Sequence, residues 1–246
     1  MNLRRNFKKE ILLIMKIEIW SDIVCPFCYI GKRKFEKALA LFPEKDKVEI
    51  EWRSFQLDPS MNNTPGKSVH AYLAERKGCS LEEAKEMNTM MSDVAKEVGL
   101  NYNFDIAIIN NTLNAHRLLH FAKSKGLQSE MKERLFHAYY TEGKDVADME
   151  SLAELAKEVG LDKESVKDML TSDSYKNEVE LDQYYAEQVG ARGVPFFVFN
   201  NKFAVSGAQP IEHFTEVLTK VWQDENPLEN INGLDGAVCG PDDNCD

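Results

Sequence analysis

Two short segments that alternate apolar and polar residues, 16–20 (KIEIW) and 48–57 (VEIEWRSFQL), flank one stretch with helical spacing, and this order narrows the possible folds more than any other feature of the chain. Their β-branched and aromatic residues suit half-buried strands. From residue 26 to about 42, Tyr29, Ile30, Phe35, Ala38, Leu39 and Phe42 recur at three- and four-residue intervals. Pro26 suits the first helical position, where a missing N–H costs nothing. The opening reads β-α-β.

The middle of the chain changes character. The periodicity predicts helices over 68–77, 80–98, 113–124, 129–141, 149–159, 163–171 and 175–189, the second opened by a capping box of Ser80 and Glu83. Gly78, Gly99, Gly126, Gly143, Gly160 and Gly190 fall near their ends, where helices stop. Residues 194–200 (VPFFVFN) and 202–207 (KFAVSG) then read as strands joined by a tight turn at Asn200 and Asn201, residues that tolerate positive φ. A last helix is expected from residue 210 to about 222. The expected fold is α/β: a thioredoxin-type sheet with a large all-helical insertion between its β-α-β and β-β-α halves. The corresponding units are an N-terminal extension (1–15), a thioredoxin-like domain (16–62 and 191–222), a helical insertion domain (63–190) and a flexible tail (223–246).

With 246 residues and 43% hydrophobic content, the chain can bury a core without disulfide staples. A net charge of −11 argues against nucleic acid or an anionic membrane surface as a partner, since both need concentrated Lys and Arg. The basic start MNLRRNFKKEILLIM has an apolar run of only residues 11–15, whereas a secretory signal needs roughly 7 to 15 apolar residues and a cleavage site. No export signal and no membrane span are expected, Met15 is a candidate start, and the expected location is the cytoplasm. Cysteines there are more often catalytic or metal-binding than structural.

The chemistry concentrates at CPFC, residues 25–28. A pair at this spacing can be redox-active, half of a zinc site, or two buried inert thiols. Cys25 falls where the strand ends and the helix begins, so unpaired N–H groups and the positive helix end favour its thiolate. Cys28 lies one turn on, on the same face, within reach of the first sulfur. A C-x-x-C at such a junction is a specific redox signature. The second element is GVPFF: an X-Pro bond is the one for which cis is cheap, about 0.5–1 kcal/mol above trans. In a thioredoxin-type sheet Pro195 faces the two cysteines and leaves the Val194 backbone to pair with an extended substrate. The competing reading is a trans proline at a strand edge.

The stretches WSDIVCPFCYIGKRKFEKAL, EWRSFQLDP, NTLNAHRLLHFA, EGKDVADMESLAELAKEVGLD and GVPFFVFNNKFAVSGAQP resemble the DsbA-like thioredoxin family, specifically its FrnE-like cytoplasmic subgroup, over residues 16–222. The resemblance implies a thiol-disulfide oxidoreductase with Cys25 as attacking thiol, Cys28 as resolving thiol and Pro195 as cis-proline. It implies no cofactor. Its partners would be protein or small disulfide and thiol substrates, with glutathione a candidate among them. The tail carries a candidate second redox pair, Cys239 and Cys245, separated by five residues where FrnE-like proteins often have four. Related insert-bearing thioredoxin folds include glutathione-dependent isomerases and transferases, which typically carry serine where Cys25 stands. A non-enzymatic, chaperone-like binding protein would need no dithiol.

Other residues point less sharply. His116 and His120 share a helix face, but no third ligand accompanies them, so packing or a polar contact is expected and no metal site is assigned. Asp22 would oppose the Cys25 thiolate if buried, and a solvated or loop-bonded position is expected. Met87, Met90, Met91 and Val94 read as a buried or substrate-facing stripe. Cys79 has no partner in sequence.

Overall fold

A computed structural model describes residues 14–62 and 67–227. Cys239 and Cys245 lie outside the described residues, as does most of the N-terminal extension. The chain opens with β1 (Met15–Ser21), α1 (Pro26–Leu41) and β2 (Val48–Ser54), a short 3-10 turn (Lys45–Lys47) preceding β2. Seven helices follow among the described residues: α2 (Val69–Lys77), α3 (Leu81–Glu97), α4 (Leu113–Ser124), α5 (Gln128–Tyr140), α6 (Met149–Glu158), α7 (Lys163–Thr171) and α8 (Lys176–Gln188). The chain returns to the sheet as β3 (Phe196–Phe199) and β4 (Phe203–Ser206) and ends in α9 (Ile211–Glu225). The strand order is β2-β1-β3-β4; β1 runs parallel to β2 and antiparallel to β3, and β3 pairs antiparallel with β4.

Strand alternation gives the sheet two faces. Met15, Ile17 and Ile19 join Phe197, Phe199 and Val205 in one core with Phe35 and Ala38 of α1 and Phe214, Leu218 and Val221 of α9. On the opposite face Trp20, Phe196 and Val198 meet Ala186 of α8 and Ala191. The β3–β4 turn takes positive φ at Asn200 (48°) and Asn201 (53°). Asn200 Oδ1 also accepts the Lys16 N–H at 2.7 Å, tying the turn to β1.

Two unit boundaries shift. Met15, expected in the extension, begins β1 opposite Val48 and is fully buried, because its side chain completes the sheet core. Residues 223–225, expected in the tail, continue α9, where Glu225 pairs with Lys202 at 2.5 Å. The second strand ends at Ser54, before residue 57, because the N–H groups beyond it go to side chains: Gln56 donates to Gln183 at 2.7 Å and Leu57 to Asp22 at 2.8 Å. The outer edge of β2 is covered in the same way. Gln128 of α5 exchanges two hydrogen bonds with the Trp52 backbone, at 3.1 and 2.9 Å, and Asp182 of α8 accepts the Ser54 N–H at 2.8 Å. An open edge would otherwise invite another strand.

The helices form a separate core that reaches the start of α1, burying Cys25, Cys28, Tyr29 and Ile30 with Leu118, Leu135, Phe136 and Tyr140. The capping box of α3 is present, Ser80 Oγ accepting the Glu83 N–H at 3.2 Å and Glu83 accepting the Ser80 N–H at 2.8 Å. No helix among the described residues is long and apolar enough to cross a membrane.

Candidate active site

The site is assembled at the break between β1 and α1. Cys25 is the residue before the helix, in extended conformation at φ −89° and ψ 111°, and Pro26 fills the first turn. The Cys25 N–H donates to the Asp22 carbonyl at 3.3 Å and the Cys28 N–H to the Cys25 carbonyl at 3.0 Å, so the loop is wound tightly around the sulfurs. Tyr102, in the segment before α4, donates its hydroxyl to the Pro26 carbonyl at 2.8 Å and fixes that loop from the insertion side. Both cysteines are free thiols, Cys25 4% exposed and Cys28 1%.

Facing them is the loop before β3. The Val194–Pro195 peptide is cis, and the Cys25 thiol donates to the Val194 carbonyl at 3.4 Å. That carbonyl, expected to be free for substrate, is engaged by the thiol in the reduced protein. The approach of α1 to this loop depends on Gly31: a Cβ there would sit 2.9 Å from Pro195 Cγ and 3.4 Å from Ala208 Cβ. No motif in the sequence singles out Gly31. Its signal was available, since a glycine in mid-helix costs roughly 1 kcal/mol relative to alanine and so marks a close approach.

Asp22 is buried at 1% exposure, not solvated, because its carboxylate has its own partners: Oδ1 meets His116 Nε2 at 3.2 Å and Oδ2 accepts the Leu57 N–H at 2.8 Å. Burial pushes the Asp22 carboxyl up, but hydrogen bonds from His116, Leu57 and Thr112 outweigh it and hold the group below its usual range. Burial pulls His116 down, and its Nδ1 is enclosed without a hydrogen-bond partner. The pair is therefore a carboxylate and a neutral imidazole donating from Nε2, since a protonated Nδ1 would strand a buried N–H.

This environment corrects the expectation for Cys25. The hydrogen bond with Cys28, burial, the charge of Cys28 and that of Asp22 all push the Cys25 thiol up, against the Cys28 backbone N–H, which favours the thiolate. The helix start acts as expected, but in the folded protein a neighbouring thiol and a buried carboxylate oppose it. Lys132 of α5 is fully buried beside the Ser21 carbonyl, and burial pulls its ammonium down to about 8 against the opposing charges of Cys28, Asp22 and Cys25.

Cys25 opens onto a cavity of about 430 Å³ walled by Phe27, Leu57, Val69, Tyr72 and Phe104, with Gly193 and Val194 beyond the sulfur. Phe27 and Leu57 are 48% and 38% exposed and form an apolar lip. Arg76 and Lys77 stand on the α2 wall, Arg76 donating to the Tyr72 hydroxyl at 2.7 Å. Cys28 does not line this cavity.

The remaining candidates fall elsewhere. His120 Nε2 lies 3.1 Å from both Ser54 Oγ and Asp182 Oδ2, so the two histidines serve different carboxylates. No cluster of three metal-competent side chains occurs among the described residues. Met87 and Met90 are 37% and 60% exposed, contrary to a buried stripe, and neither lines the cavity. Met91 and Val94 alone pack against the helical core. Cys79 is a free, half-buried thiol.

Residues 16–219 match the family described as DSBA-like thioredoxin domain. The uncharacterized protein YwbO of Bacillus subtilis is 29% identical over 215 residues, spanning 84% of this chain and 97% of that protein. The structure of a probable DsbA oxidoreductase from Streptomyces coelicolor is similar at a TM-score of 0.82 and 40% identity, covering 93% of this chain and 97% of its own. The cytosolic disulfide reductase DsbM from Pseudomonas aeruginosa shares the fold at a TM-score of 0.59 and 15% identity, over 84% of this chain and 98% of that one. It has also been solved with GSH. The fold is thioredoxin-like, a mixed four-stranded sheet carrying a helical insertion.

Proposed function

Because the chain belongs to the DSBA-like thioredoxin domain family, we propose that it is a thiol-disulfide oxidoreductase exchanging disulfides with protein or small-molecule substrates through Cys25 and Cys28. One observation carries the division of roles: Cys25 opens onto the cavity and Cys28, one turn down α1, does not. In the reducing direction the Cys25 thiolate attacks a substrate disulfide, forming a mixed disulfide and releasing one substrate sulfur as thiolate. Cys28 then attacks the Cys25 sulfur, which releases the second substrate thiolate and leaves the Cys25–Cys28 disulfide. The reverse sequence oxidises a dithiol.

Once Cys25 is in a disulfide its thiol proton is gone, and the Val194 carbonyl is released to the substrate beside Pro195. The apolar wall accepts a side chain flanking the reacting cysteine. Glutathione, present with the Pseudomonas fold relative, is the candidate small thiol. In this reading residues 16–62 and 191–222 form the reacting unit, and 63–190 supply part of the cavity wall, with Val69, Tyr72 and Phe104 opposite Phe27 and Leu57. FrnE-like kinship and a cytoplasmic setting complete the proposal; trapping thiols in intact cells by acid-quenched alkylation should then find Cys25 and Cys28 mostly reduced.

The test is a pair of variants assayed by insulin reduction. Cys25→Ser should lose activity completely, and Cys28→Ser should accumulate a mixed disulfide visible by mass spectrometry. Full activity in Cys25→Ser would remove the reading.

A further inference from the structure

Two buried lysines lie close to the start of α1, and they are treated differently by the fold. Lys32, on α1, has a side chain 4% exposed and is paired with Glu36 at 2.5 Å and Glu133 at 2.6 Å. Lys132, on α5, is fully buried, yet no carboxylate among the described residues reaches ion-pair distance of its Nζ. That Nζ donates to the Ser21 carbonyl at 3.5 Å and lies over the rings of Phe136, at 4.8 Å, and Trp52, at 5.6 Å. A fully buried lysine is rare unless it is paired.

Phe136, whose ring lies under the Lys132 Nζ, packs in the same core that buries Cys25 and Cys28, and the titratable groups around Lys132 identify its partner. They are Cys28 and Cys25 at the head of α1, Asp22 in the loop before it, Lys32 on α1 and the imidazole of His116 on α4. Glu133, next along α5, is taken by Lys32, Arg33 and the Tyr29 hydroxyl. Asp22 already has both oxygens occupied, by His116 and the Leu57 N–H. The groups that become negative in the reaction are the sulfurs, and the Cys25 thiol bonds to the Val194 carbonyl and to Cys28, not to a cation, in a site that pushes it away from the thiolate.

We propose that Lys132 is a positioning residue of the dithiol reaction, its buried ammonium compensating the charge on the Cys28 sulfur each time that sulfur is a thiolate. The inference rests on the reading of Cys25 and Cys28 as the reacting pair. When a substrate thiolate attacks the Cys25 sulfur of the disulfide, a bond forms between the two sulfurs and the Cys25–Cys28 bond breaks. The electron pair of the broken bond goes to Cys28, and no proton moves. A charge that began in solvent is thereby placed on a sulfur 1% exposed, where a buried cation offsets part of the lost hydration. With its titration near 8, Lys132 is charged at neutral pH and loses the role in alkali.

The experiment uses the full-length protein with 13C-labelled lysine side chains. The resonance titrating near pH 8 should have a higher midpoint in the reduced than in the oxidised protein, because a thiolate faces it only in the former. Equal midpoints overturn the proposal. In Lys132→Met, alkylation of Cys25 by iodoacetamide at pH 7 should slow by about tenfold. Its equilibrium with glutathione should move about tenfold toward the disulfide, which is roughly 30 mV. Thermal stability should be unchanged or higher, as expected when a buried charge gives way to an apolar side chain of similar volume. Greater stability with unchanged alkylation and unchanged glutathione equilibrium would make Lys132 structural only. If Cys25→Ser kept full reductase activity, the functional reading would fail whatever Lys132 does; if that variant were inactive and the Lys132 midpoint ignored the redox state, the inference alone would fail.

Discussion

The two ends of α1 lie in different materials. Phe35 and Ala38 enter a core built from the apolar side chains of Met15, Ile17, Ile19, Phe197, Phe199 and Phe214. Two turns earlier, Cys28 and Tyr29 enter the core of the insertion, where Lys132, His116 and Asp22 are buried among the apolar residues. A dry core stabilises by area and packing alone. Buried ionisable groups stabilise poorly, because lost hydration offsets their mutual attraction. The difference teaches that the apolar sheet core carries the fold, while Lys132 and His116 of the insertion, with Asp22 of the β1–α1 loop, set the charge around the sulfurs at some cost in stability.

The sharpest way to break this comparison is Phe197→Ala. Phe197 is fully buried and packs on Phe35 and Phe214, at ring separations of 5.6 and 4.8 Å. Urea unfolding should show a loss of about 3–5 kcal/mol, with alkylation of Cys25 in the folded protein unchanged. A thiol rate that fell in step with stability would mean that the two regions are not separable. A smaller effect is expected at the joint between them. In Gly31→Ala the new methyl meets the Pro195 ring, a rigid neighbour, at 2.9 Å. The strain should cost about 1–3 kcal/mol, offset in part by the better helix propensity of alanine, and insulin reduction should fall more than the folded fraction does. Normal turnover at reduced stability would show that the α1–Pro195 contact is structural only.

The smallest expected effect lies where β2 meets the insertion. Burial pushes Glu51 up, but Lys123, Lys16 and Arg53 prevail and hold it at about 2. A carboxylate depressed in the folded state contributes stability above its unfolded value, near 4.5, and loses it as the pH falls toward 2. After allowance for solvent screening this is about 1–2 kcal/mol. Acid unfolding of Glu51→Gln should lack that part of the slope between pH 4.5 and 2. An unaltered slope would assign acid sensitivity to other groups, such as the buried Asp22 and His116.

Local pattern carried a great deal of this structure. Apolar spacing located every helix from α1 to α9 to within a few residues, because one buried face per helix writes a period of 3.6 into the chain whatever it packs against. Positive φ at Gly78 and Gly126 reflects the same locality: helix ends need a left-handed residue wherever they fall. The cysteine pair was legible too, since its meaning depends on the adjoining strand end and helix start. Strand ends were less so. Nothing near residues 55–57 announces that Asp22 and Gln183, distant in sequence, will take the N–H groups.

The sequence by itself thus determined the order of elements, the position of the dithiol at the head of α1 and the loop of Val194 and Pro195 as its companion. The tertiary structure decided what surrounds the sulfurs. His116 and Lys132 look like ordinary polar residues of amphipathic helices, yet they meet Asp22 and Ser21 across 94 and 111 residues and are fully buried there. Whether a titratable side chain is solvated or enclosed depends on which distant surface closes over it, and periodicity records only that a face is covered. The same limit applied to Cys25: the helix start favours its thiolate locally, and only the assembled site supplied the carboxylate and the second thiol that oppose it, with Lys132 facing all three.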